Sequence, residues 1–138
     1  MKEHLFVKIK KSYIIIIDIM KKHAKKYGIN YIQLSILLLA CNKDSTVSSL
    51  ASTLDITKSA VSQALTGLLM KRLVTRQVDQ EDKKIYYIRP TKRAIEIKED
   101  VYNSNEEKYN KLLKEMPIEE IIQMDALINK FNLILSKF

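Results

Sequence analysis

The chain has 138 residues, enough for one domain with a real core, and 46% of them are hydrophobic. Two glycines, two prolines and an abundance of Ile, Leu and Lys point to a mostly helical fold. A net charge of +8 calls for an anionic partner, nucleic acid first and a membrane surface second, while one cysteine excludes an intrachain disulfide and fits a reducing cytoplasm.

The charge is uneven. Residues 1–27 hold eight basic and two acidic groups, 28–93 ten and five, and 94–138 six and nine, so an acidic tail follows a basic body. The apolar runs "IIII" (14–17) and "LSILLLAC" (34–41) are too short to span a bilayer, and Asp18 breaks the run that a signal peptide would need. The expectation is a soluble cytoplasmic protein with no membrane partner.

In chain order, Leu5, Ile9, Tyr13, Ile16, Ile17, Met20, Ala24 and Tyr27 keep a helical period over residues 4–27, with Gly28 as C-cap. The run "KKHAKK" before it reads as cations favoured by the helix C-terminal dipole, with a DNA contact as the competing reading. Asn30 opens a second helix with Gln33 three residues on, the capping-box spacing, and this helix reaches about Cys41. After the turn "NKDS", Thr46 caps a short helix to about Leu54. A tight turn at Asp55–Ile56 follows, and Thr57 caps a helix to about Lys71. Two such helices joined by a short turn are a helix-turn-helix, with small Ala51 at their crossing. Past Leu73 the period becomes two: "LVTRQV" and "IYYIRP", separated by "DQEDKK", form a two-stranded hairpin, a wing. Pro90 ends the second strand and Thr91 caps a helix over about 91–114. Pro117 starts a last helix whose stripe (Ile118, Ile121, Ile122, Leu127, Ile128, Phe131, Ile134, Leu135) is too wide for a lone terminal helix to bury. A second chain is the simplest cover.

Over residues 28–95 this order of elements resembles the MarR family of winged-helix regulators. "INYIQLSILLLA" is similar to the family's "LT-x-x-Q-x-x-x-L", and "STVSSLASTLDITKSAVSQALTGL" to "tvseLAexlgvskstvsrxvxxL". "LVTRQVDQEDKKIYYI" resembles the wing "LvxRxxxpeDrRxxxv", and "PTKRA" stands where the family has "LTekG". Arg72 replaces the glycine that ends the recognition helix, which implies a non-glycine in a left-handed position. The wing's D-x-R is Asp82-Lys83-Lys84, and Pro90 and Ala94 replace Leu and Gly. The resemblance implies a mainly α fold, a winged helix-turn-helix (28–93) with a two-stranded β wing and N- and C-terminal dimerisation helices (1–27 and 94–138), all in one domain. It also implies a homodimeric transcriptional regulator, a repressor, acting on a near-palindromic operator.

A helix-turn-helix places the start of its second helix in the major groove. Lys58, Ser59, Ser62, Gln63 and Thr66 form the polar face so presented, and Gln63 has the two-pronged geometry that suits adenine. Thr46, Ser48 and Arg76 are the expected phosphate contacts, and Lys83 or Lys84 the wing-tip cation for the minor groove. Lysine is more strongly hydrated than arginine and lacks its planar fork, so a weaker wing contact is expected. Asp79, Glu81 and Asp82 are expected to orient these basic groups. The family's ligand pocket, which often takes aromatic acids, has Tyr13, His23, Tyr27 and Tyr31 as candidate lining, with plain packing as the alternative.

Enzyme chemistry lacks convergent groups. His4 and His23 stand nineteen residues apart on one helix, about 28 Å, and Gly28 and Gly67 make no phosphate loop. No metal site or cofactor is expected. Two rival functions remain: a redox-sensing regulator acting through Cys41, with Lys43 nearby, and a helical protein-interaction module without DNA specificity.

Overall fold

The computed structural model describes the backbone of residues 2–138 and the side-chain surroundings from His4 onward. In chain order the elements are α1 (Lys2–Lys26), α2 (Tyr31–Asn42), α3 (Val47–Leu54), α4 (Lys58–Met70), β1 (Val74–Val78), β2 (Tyr86–Pro90), α5 (Lys92–Glu115) and α6 (Ile118–Leu135). Each expected element is present with ends shifted by a few residues, and the helical class with a two-stranded wing is observed.

Two compact units divide the chain between Glu99 and Asp100, within α5. In the first, α2, α3 and α4 enclose a core in which Leu34, Ile36, Leu37, Leu50, Val61, Leu65 and Leu68 are fully buried, and Val74, Ile88 and Ile97 close it. Here α4 packs on α2, α3 and β1, and α2 also meets α1 and β2. The second unit holds the rest of α5 and α6, with Val101 and Ile121 buried.

Local chemistry explains the boundaries. Asn30 Oδ1 accepts the Gln33 N–H at 2.8 Å, and Gln33 Oε1 accepts the Asn30 N–H at 2.9 Å, the reciprocal box that the spacing predicts. A second box, which the sequence does not announce, joins Thr46 to Ser49, whose hydroxyl accepts the Thr46 N–H at 2.9 Å. Serine is too short to be read as the usual Glu or Gln partner. Thr57 Oγ1 accepts the Ala60 N–H at 3.0 Å and caps α4.

Three helices close with the same pair of backbone bonds. Ile29 donates to Ala24 and Gly28 to Lys25. Ile56 donates to Ala51 and Asp55 to Ser52, and Leu73 to Leu68 and Arg72 to Leu69. This Schellman pattern needs a left-handed residue, and Gly28 (φ 68°), Asp55 (φ 52°) and Arg72 (φ 56°) supply it. The non-glycine at Arg72 is as expected. That at Asp55 is hidden inside a turn signal, because aspartate tolerates the left-handed region better than most residues.

Arg72→Gly therefore removes a steric penalty and should stabilise the fold by about 1 kcal/mol. The check is thermal unfolding of the two proteins side by side; an unchanged or lower melting temperature contradicts it.

The wing pairs β1 with β2 antiparallel, Val74 opposite Pro90 and Val78 opposite Tyr86. Part of the expected turn "NKDS" is instead extended. Ser45, fully buried, forms an isolated bridge to Ile88, whose N–H donates to the Ser45 carbonyl at 2.8 Å. A one-residue bridge has no periodicity, so no sequence pattern announces it.

Candidate nucleic-acid interface

On α4 the apolar positions Val61, Leu65 and Leu68 are buried, which turns Lys58, Ser59, Ser62, Gln63 and Thr66 outward on one face, all exposed. Lys58 is the first residue of the helix, so this face begins at its N-terminal turn. The Thr66 hydroxyl donates back to the Ser62 carbonyl at 3.1 Å, which leaves its oxygen as an acceptor. On the inner side, Gln33 Nε2 donates to the Ala64 carbonyl at 3.3 Å. A Cβ at Gly67 would lie 2.4 Å from that nitrogen, so glycine leaves the room in which the Gln33 side chain makes this bond.

Thr46 and Ser48 stand at the start of α3. Ser48 is exposed, while the half-buried Thr46 hydroxyl already accepts the Ser49 N–H at 3.1 Å and keeps its own proton for another acceptor. Arg76 lies opposite Ile88 in the hairpin register, with its guanidinium 4.9 Å from the Tyr86 ring centroid. Such a stack holds the cation extended without neutralising it.

Lys83 and Lys84 are exposed in the loop joining the strands. Asp79 Oδ1 accepts the Glu81 N–H at 3.1 Å and Asp82 Oδ1 accepts the Lys84 N–H at 3.0 Å. Two acidic residues thus fix the loop through its backbone, which aims the lysines without engaging their ammonium groups.

The candidate ligand residues are more scattered. Tyr27, Tyr31 and His23 are half-buried, whereas Tyr13 is exposed. Tyr13 lies on α1 fourteen residues before Tyr27, which follows the helix end, about 21 Å along the axis, beyond the span of one small aromatic acid. Tyr27 has a neighbour the sequence does not suggest: Arg93, 5.9 Å from its ring centroid, beside Lys26 at 5.4 Å. Cys41 is half-buried, and burial pushes its thiol above the usual cysteine range while the Lys98 ammonium pulls the other way. Among the described residues no helix is long and apolar enough to cross a membrane.

A family model described as MarR family matches residues 27–85, the stretch from the end of α1 to the base of β2. Residues 27–85 are a MarR-family winged helix. The match supports a DNA-binding transcriptional regulator, and the MarR family is one of regulators and not of enzymes. A curated relative, the HTH-type transcriptional regulator MhqR of Bacillus subtilis (strain 168), is 20% identical over 135 residues, covering 97% of this chain and 93% of its own. Among solved structures, Streptococcus pneumoniae FabT in complex with DNA superposes with a TM-score of 0.85 at 17% identity, covering 99% of each chain. The transcriptional regulator BldR from Sulfolobus solfataricus gives a TM-score of 0.76 at 24% identity, covering 99% of this chain and 96% of that one. The MarR-like fold therefore extends beyond the matched winged helix to the flanking helices.

Proposed function

We propose that this MarR-family chain is a homodimeric, sequence-specific repressor that reads a near-palindromic operator in the cytoplasm. In this reading 28–93 is the DNA-binding core, and 1–27 and 94–138 supply the dimer helices of a single domain. The observation that carries it is the exposed polar face of α4, which starts at the helix N-terminus and is followed in the chain by a wing loop that exposes Lys83 and Lys84. Lys58, Ser59, Ser62, Gln63 and Thr66 read base edges. Thr46, Ser48 and Arg76 grip phosphates, and Lys83 or Lys84 senses the minor groove. FabT, solved as a complex with DNA, shares the fold across its whole length. An operator occupied by such a dimer is closed to polymerase, which is sufficient for repression.

Uncovered apolar surface supports the dimer. On α1, Leu5, Phe6, Ile15 and Ile16 are each more than half exposed, and on α6 so are Ile122 and Leu127, at 62% and 66%. Of the stripe read on α6, Ile121 is buried and Phe131 half-buried. Two-fold symmetry then sets half-site centres about one helical turn apart. Sedimentation should show a dimer at micromolar concentration, and DNA titrations should show a defined duplex preferred over random sequence. A monomer, or binding indifferent to sequence, contradicts the proposal.

A small aromatic acid is the ligand we favour, docked beside Tyr27, where Arg93, paired with Glu96 at 3.6 Å in an exposed bridge, can exchange that partner for a carboxylate. The check is release of DNA by such acids and its loss in Tyr27→Ala.

For Cys41 a packing role fits better than sensing, since a thiol with a raised pKa holds little of the reactive thiolate at neutral pH. Cys41→Ser should leave DNA affinity and its response to mild peroxide unchanged, with some loss of stability. A wild type that releases DNA on oxidation, beside a variant that does not, would make Cys41 a sensor.

A further inference from the structure

Arg89 is a residue that no sequence motif marks and that the interface described above does not use. It stands on β2 opposite Thr75, on the wing face turned away from Ile88 and Arg76. Its guanidinium touches three pieces of chain. Nε donates to Gln77 Oε1 on β1 at 2.7 Å, the plane lies 5.1 Å from the Tyr87 ring centroid on β2, and Nη1 pairs with Asp44 Oδ1 in the segment between α2 and α3. The arginine is 35% exposed and the aspartate 71%.

Asp44 is followed by Ser45, which bridges to Ile88, by Thr46, which caps α3, and by Ser48 on the exposed start of α3. The backbone tie between the wing and this segment is an isolated bridge through the Ile88 N–H. One hydrogen bond is a pivot about which a hairpin can swing. A second tie one residue away, made by a planar guanidinium held on two further sides, fixes the angle.

We propose that the Arg89–Asp44 pair is a positioning device, which locks the wing at a set angle to the α3 start so that duplex affinity depends on two residues that do not themselves bind DNA. The proposal rests on the DNA-binding reading and deepens it: cations of the wing and hydroxyls of α3 can meet phosphates of one duplex together only while their spacing is held.

The sign of one substitution separates this from a simple charge effect. Asp44→Asn removes a negative charge close to a polyanion, which by field alone tightens binding. Positioning makes it weaker. The probe is a duplex selected from the genomic fragments that the wild-type chain retains, titrated beside an unrelated duplex. Asp44→Asn and Arg89→Gln should each weaken operator binding about three- to tenfold, as expected for loss of one tethering interaction. The double variant should lose no more than the worse single one, because both changes break the same tie. Amide exchange should quicken at Ile88 and stay unchanged at Leu65, with the melting temperature hardly moved. Should Arg89→Gln fold poorly, the exposed Asp44→Asn still decides. A wild type that retains no duplex at low salt overturns the DNA reading and this proposal with it. A wild type that binds, beside an Asp44→Asn that binds as tightly or more tightly, overturns the positioning role alone.

Discussion

Leu65→Ala lowers the unfolding free energy by about 2–5 kcal/mol, the range for deleting a fully buried leucine and leaving part of its cavity behind. Leu65 has no solvent exposure and lies on the inner stripe of α4 with Val61 and Leu68, where the helix meets α2, α3 and β1. Packing against three elements leaves little freedom to close over the gap, which puts the loss toward the upper half of that range. Against a typical total of about 5–15 kcal/mol this is a large share. It falls on the helix that carries the reading face, so operator binding should fail at a lower temperature than in the wild type. Urea unfolding followed by circular dichroism measures it, and the denaturant slope should stay unchanged, because the fully unfolded chain exposes nearly the same surface. Ser62→Ala, three positions earlier but exposed, should change stability by less than about 0.5 kcal/mol. A Leu65→Ala loss below about 1 kcal/mol would mean that the core re-forms around the cavity and that α4 is held by its caps more than by packing.

The contrast between Leu65 and Ser62 is legible in the sequence alone, since burial on a helix follows its 3.6-residue period and the period is written in consecutive residues. The same holds for the Asn30–Gln33 box, the α4 cap at Thr57 and the left-handed Arg72, each a matter of a few neighbours along the chain. Illegible features join distant residues. Asp44 and Arg89 are separated by 45 positions and Ser45 pairs with Ile88 through one bridge, so neither leaves a periodic trace. Arg93 beside Tyr27 is hidden for the same reason: its own neighbours read as a helix start. Part of the candidate interface, the face of α4 and the wing lysines, is therefore readable, while the parts that hold the wing in place are not. The acidic residues of the wing loop fall between: their presence beside the lysines is visible, but their action through backbone N–H groups is not. On α6 the breadth of the apolar stripe is visible, and the structure leaves most of that stripe exposed within one chain.

Reading and gripping should separate at Gln63 and Lys84. Gln63 is exposed on the second turn of α4, where its amide can both donate and accept at one base edge, and its backbone is set by the buried Val61 and Leu65 on the opposite side. Lys84 is exposed in the wing loop with its backbone N–H fixed by Asp82, so its ammonium swings on a tethered stem and senses charge and groove width. Gln63→Ala should cost about 1–3 kcal/mol on the preferred operator and relax the choice at one base pair per half-site, because adenine then meets an apolar methyl. Lys84→Ala should weaken operator and random duplex alike and reduce the salt dependence by about one phosphate contact per chain, since a released counterion carries no sequence information. Lys84→Arg should tighten binding most where an A·T-rich minor groove flanks the half-site, because the less hydrated guanidinium loses less on entering a narrow groove. Titrations at several salt concentrations, on the operator, its single-base variants and an unrelated duplex, measure all three. If Gln63→Ala keeps its specificity while Lys84→Ala loses it, the wing is the reading element and α4 the grip.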